Sequence, residues 1–79
     1  MVRQLLVKKE PGGMVLILDK WSREGSRTAY RITATLHGVE GIAWLYRDTN
    51  RQRAEGVYSY LTQNWSLAVL HAREVLEDS

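Results

Sequence analysis

The residues of this chain best suited to recognition chemistry are its arginines. Eight of its eleven cations are Arg, and a guanidinium makes bidentate and stacked contacts with anions better than an ammonium does. Arg47, Arg51 and Arg53 fall in the stretch RDTNRQR (47–53), with Asp48 the one acid among them. A second group, Lys20, Arg23 and Arg27, surrounds the polar stretch SREGSR (22–27). Aromatic rings stand beside both groups: Trp21 follows Lys20, and Tyr46 precedes Arg47. Cations interleaved with rings form the usual platform for nucleic acid, because cations neutralise phosphates and rings stack on unpaired bases.

Covalent chemistry finds little support. There is no cysteine, so neither a disulfide nor a thiolate nucleophile is available. The phosphate-binding loop pattern, paired metal-ligand histidines and a serine–histidine–acid grouping are all missing. His37 and His71 are too few to hold a metal-dependent fold. The reading is a non-enzymatic protein with no cofactor, no metal and no small-molecule substrate.

The elements that must position the arginines follow from apolar periodicity. VRQLLVKK (2–9) reads as a first strand, and Glu10-Pro11-Gly12-Gly13 as a turn, with Pro presetting φ and Gly tolerating positive φ. MVLILDKW (14–21) is apolar on both faces, as a central strand is. RTAYRITATLHG (27–38) alternates Tyr30, Ile32, Ala34 and Leu36 with Arg31, Thr33 and Thr35, the pattern of a strand with one wet face. Gly38 to Gly41 turn the chain back into IAWLYR (42–47), with Ile42, Trp44 and Tyr46 on one face, which makes burial the expectation for Tyr46.

Residues 49–63 admit two readings. GVYSYLTQ (56–63) is rich in β-formers and reads as a fifth strand, with a helix starting near Asn64 or Ser66. Alternatively, Ala54, Val57, Tyr58, Leu61, Trp65, Ala68, Val69, Ala72, Val75 and Leu76 keep helical phase, giving a long or broken helix from about 50 to 77. An unbroken helix there would reach about 42 Å, far beyond strands this short, and Gly56 would weaken it by about 1 kcal/mol. The fifth strand is therefore preferred. SLAVLHAREVLEDS (66–79) is helical either way, and Leu67 and Leu70 widen its apolar stripe. They serve either a broad core contact or self-association. The expected fold is α+β, a four- to five-stranded antiparallel meander with a C-terminal α-helix packed on one face, residues 1–79 forming one compact domain.

Antiparallel neighbours joined by short turns alternate in direction. The loop at 22–27 and the exit from the fourth strand must then share one end of the sheet. Lys20, Arg23, Arg27, Arg47, Arg51 and Arg53 gather there, with Arg3 near, opposed by Asp19, Glu24 and Asp48. Seven cations against three acids give +4 locally, whereas the whole chain carries +2. The charge is lopsided although its total is small.

The function expected from this arrangement is nucleic-acid binding through the basic edge, by Lys20, Trp21, Arg23, Arg27, Arg47, Arg51 and Arg53. If three to five of these cations touch phosphate, affinity should fall with log salt at a slope of about −3 to −4.5 on duplex DNA. The competing expectation is an adaptor or inhibitor that turns the same arginines on an acidic protein. A chain of 79 residues without staples has a thin stability margin, which makes a homodimer the default. The longest apolar run, Met14–Leu18, is far short of a membrane span, and the N-terminal residues lack a signal-peptide core, so a cytoplasmic protein without membrane contact is expected.

Overall fold

A computed structural model describes residues 2–9, 13–22 and 27–78. Four strands, β1 (Val2–Lys9), β2 (Met14–Trp21), β3 (Ala29–Leu36) and β4 (Val39–Asp48), are followed by two helices, α1 (Arg51–Gln63) and α2 (Trp65–Glu77). The strands form one sheet in the order β1-β2-β3-β4, each antiparallel to its neighbours. The architecture is α+β, and the meander is the one the alternating pattern predicts.

Both helices lie on the same face of the sheet. Met14, Leu16 and Leu18 of β2 and Ile32, Ala34 and Leu36 of β3 alternate inward and are buried, together with Ala43 of β4. The helices meet them through small residues: Ala54, Ala68 and Ala72 have no exposed surface. With alanine on both sides, the backbones approach closely. At Gly41, whose φ of +101° suits glycine, an added Cβ would lie 3.3 Å from Leu76 Cδ2. The Tyr58 hydroxyl crosses this narrow layer and donates to the Leu16 carbonyl at 3.2 Å. Burial pushes the Tyr58 phenol up from its ordinary pKa.

The expected fifth strand does not form; residues 51–63 are helical. The β-branched and aromatic content of 56–63 is outweighed by three features. Asn50 caps the helix, its side chain accepting from the Arg53 amide at 3.0 Å. Ala54 and Tyr58 bury one turn apart, and Val57 and Leu61 pack beside them. Gly56 is exposed, where its cost is not compounded by lost packing. The length objection to one long helix is met by a break at Asn64, where the backbone leaves the helical region at φ −121°, ψ 54°. Both the Asn64 amide and its side-chain nitrogen donate to the Tyr60 carbonyl, at 3.0 and 2.9 Å. Each 13-residue helix then spans about 20 Å, within the length of the strands it covers.

Trp65, Val69, Val75 and Leu76 pack on the core from α2. Leu67 and Leu70 do not join them. They are exposed on the outer surface, as is Tyr60 of α1, so the broad core contact expected of these leucines is not made. Among the described residues, no helix is long and apolar enough to cross a membrane.

Candidate functional site

The stretch RDTNRQR is a strand end, a cap and a first helical turn in succession. Arg47 and Asp48 close β4, Asn50 caps α1, and Arg51 and Arg53 enter the helix. Asp48 is the hub. It accepts from the Tyr46 hydroxyl at 2.6 Å and from the Asn50 amide at 2.8 Å, and Arg53 approaches it at 3.3 Å. Arg51 sits 3.5 Å from Glu55, one turn on. Two cations in the first turn oppose the helix dipole, and these two acids offset them.

The Tyr46 hydrogen bond, then the Asn50 amide, hold the Asp48 carboxyl below the usual carboxylate range. The same hydrogen bond pushes the Tyr46 phenol up. For a carboxyl with a lowered native pKa, the unfolded chain binds its proton first as pH falls, so stability is lost on the acid side. For the raised phenol, stability is lost as pH climbs past the ordinary tyrosine range. Urea midpoints should therefore fall between about pH 5 and pH 3, and Asp48→Asn should flatten that fall. An unchanged acid limb in the variant would show that Asp48 is not its source.

Lys20, Arg47, Arg51 and Arg53 lie at one end of the sheet, but they divide between its two faces. Lys20 lies opposite Tyr30, and Tyr30 opposite Asp48, and Tyr30 packs on the core. Lys20 therefore belongs to the helix side, where Arg51 and Arg53 also emerge. Trp21 and Arg47 alternate to the other, uncovered face. Arg27 is exposed just before β3. Arg23, and residues 10–12 of the predicted turn, lie outside the described residues.

The uncovered face carries what the sequence reading missed. Across the four strands Gln4, Asp19, Arg31 and Arg47 stand in one row. Asp19 is buried at 7% exposure and accepts from Arg31 Nε at 2.9 Å. The Arg31 guanidinium carbon lies 5.9 Å from the Trp21 ring centre and 5.2 Å from that of Trp44, within cation–π range of both. Its side chain keeps 19% of its surface exposed, and among the described residues its terminal nitrogens have no hydrogen-bond partner. Trp21, Arg31, Trp44, Leu45, Tyr46 and Arg47 line a depression of about 480 Å³.

Trp44 reaches this face through a bulge. Ile32 opposes Tyr46 while Thr33 opposes Trp44, so Leu45 is an extra residue and the side-chain alternation resets. Tyr46 turns to the core side, where it packs. Trp44 and Ile42 turn outward, and Trp44 is 59% exposed. The expectation that Ile42, Trp44 and Tyr46 share a face fails at this bulge. No known protein family, curated protein or solved structure matches the chain.

The electrostatics of the row are asymmetric. Arg31 and Arg47 are direct cross-strand neighbours, an opposition of like charges that destabilises a sheet. Asp19 balances Arg31. Among the described residues, Arg47 has no salt bridge. Among the described residues, the pair therefore leaves one positive charge without a salt bridge at the mouth of an aromatic depression. Chemically, the arrangement can seat an anion and offer ring surface to a flat partner. The described residues hold no group of three or more His, Asp or Glu side chains placed to bind a metal ion.

Proposed function

We propose that this chain is a small, non-enzymatic, cytoplasmic nucleic-acid-binding protein. Its interface comprises the uncovered face of the sheet and the basic end that this face runs into. The observation that carries the reading is the row of Trp21, Arg31 and Trp44, with Arg47 at its margin. Rings and guanidinium groups on one accessible surface suit a polyanion that also presents flat bases. Arg51 and Arg53 contribute less than their sequence density suggests, because each faces a carboxylate. The main phosphate contacts fall to Arg27, Arg31 and Arg47, with Lys20 at the edge.

Four such cations predict a slope of log affinity against log salt of about −3 on single strands and nearer −4 on duplex DNA. Arg47→Glu is expected to lower affinity across all base sequences and to make the slope shallower by roughly 1 to 2, since it removes one contact and adds a repulsion. Anisotropy titrations between about 50 and 200 mM salt measure both. No binding at the low-salt limit would refute the reading.

A second reading, attachment to a protein partner or to a second copy of this chain, is favoured by the exposed Tyr60, Leu67 and Leu70 on the helical side. Those residues lie on the opposite side of the molecule from the Trp–Arg–Trp row, so self-association there would leave the proposed interface free.

A further inference from the structure

We infer that the uncovered face takes single strands rather than duplexes, with a backbone phosphate seated between Arg31 and Arg47 and bases stacked on Trp21 and Trp44. This inference rests on the nucleic-acid reading and assigns each group its part.

The argument for the phosphate is electrostatic. Two arginines directly opposite on neighbouring strands cost stability unless something negative lies between them. Asp19 neutralises one guanidinium from the side away from Arg47. It also holds that guanidinium through Nε, at the depression that Arg31 lines. A phosphate there completes the charge balance with charge-assisted hydrogen bonds from a fork that is already held in place.

The argument for unpaired bases is geometric. Trp21 lies opposite Ala29, and Trp44 opposite Thr33. With two strand spacings across and four residues along, their Cα atoms are on the order of 16 Å apart. Arg31 stands between them, and both rings lean to within 6 Å of it. Indoles on the open face of a sheet can stack on bases only when the ring faces of those bases are turned outward. In a duplex they are stacked on each other and hidden. The exposed large apolar side chains of this face are Val2, Val7 and Ile42, and Gln4 and Lys9 are exposed beside them. Every base has a ring face to offer, so recognition that rests on stacking is tolerant of sequence.

The test uses the full chain with a fluorescein-labelled oligothymidylate, alone and paired with oligoadenylate, at about 50 mM salt. The single strand is expected to bind at least tenfold more tightly than the duplex and to quench tryptophan emission. Trp44→Ala is expected to weaken single-strand binding roughly 5- to 150-fold, and Trp44→Phe to recover part of that loss. Trp44 is largely exposed, so the fold survives its replacement, and circular dichroism verifies this. Trp65, which faces Lys8 at 5.4 Å on the helical side, serves as the control: Trp65→Phe should leave affinity unchanged. Equal affinity for the two oligonucleotides, with Trp44→Ala neutral and Arg47→Glu damaging, would overturn the inference and leave the broader nucleic-acid reading standing. Failure of both oligonucleotides to bind, with or without binding to polyglutamate, would overturn both.

Discussion

Replacing Leu18 by Ala is expected to destabilise the fold by about 2–5 kcal/mol. Leu18 has no exposed surface and sits in the central strand β2, facing the helices. The loss combines the transfer term of the deleted methyl and methylene groups with a cavity term. The cavity term is large here because α1, the helix that packs on β2, meets the core through Ala54, which is fully buried and has no rotamers with which to fill a gap. A domain of 79 residues has a total stability of about 4–12 kcal/mol, so the variant forfeits a large fraction of it. Urea titration should show a lowered midpoint with an unchanged slope, and the thermal midpoint should drop by at least about 8 °C. A loss under about 1 kcal/mol would mean that the helices settle onto the sheet and that the seam is softer than its alanine packing implies.

The second large effect is at Asp19. Asp19→Ala is expected to cost about 1.5–3 kcal/mol, because it strips the counter-charge from a guanidinium held mostly out of water. The double replacement Asp19→Leu with Arg31→Met should behave differently. It removes both charges and supplies apolar volume between the two indoles, so stability should return to within about 1 kcal/mol of the parent or exceed it. Nucleic-acid affinity should not return. Stability restored with binding lost would show that the ion pair serves recognition rather than the fold. If the double variant binds as well as the parent, Arg31 is no part of the interface. If it is as unstable as Asp19→Ala, the pair is structural.

Most of the sheet was legible because its determinants are local. The alternation from Tyr30 to Leu36 assigns β3 to two faces without reference to anything else, and β2, apolar on both sides, belongs inside the sheet. The common end of the loop at 22–27 and the exit at Arg47 followed from strand direction alone. The failures have non-local causes. A bulge at Leu45 depends on how β4 meets β3, and no residue between 42 and 47 announces it. That single extra residue sent Tyr46 and Trp44 to opposite faces. The helix over 51–63 was concealed by a local preference for strand at Val57, Tyr58 and Tyr60, which the Asn50 cap and the burial of Ala54 and Tyr58 override.

Arg31 is the instructive case. Its outward direction was legible from alternation, but its partner was not. Which residue of β2 opposes it depends on the register of a hairpin whose loop is long enough to allow several. Once Asp19 is known to face it, the row Gln4, Asp19, Arg31, Arg47 follows. Counting charges along the chain found the dense cluster at 47–53 and passed over the lone arginine in mid-strand. In the folded chain the dense cluster is largely self-neutralised, while the lone arginine lies between two rings.

The outermost strand, β1, contains Arg3, Lys8 and Lys9 and no acidic residue. Its unpaired backbone edge is eight residues long and would otherwise be an open template for another chain. Should two copies approach along that border in antiparallel fashion, the cations at either end would confront one another, and every attempt at zipping would begin with repulsion. The border is thus guarded against fibril growth by the same sign of charge that, on the proposed reading, would draw a polyanion to the neighbouring face, so one electrostatic bias could serve both colloidal safety and recognition.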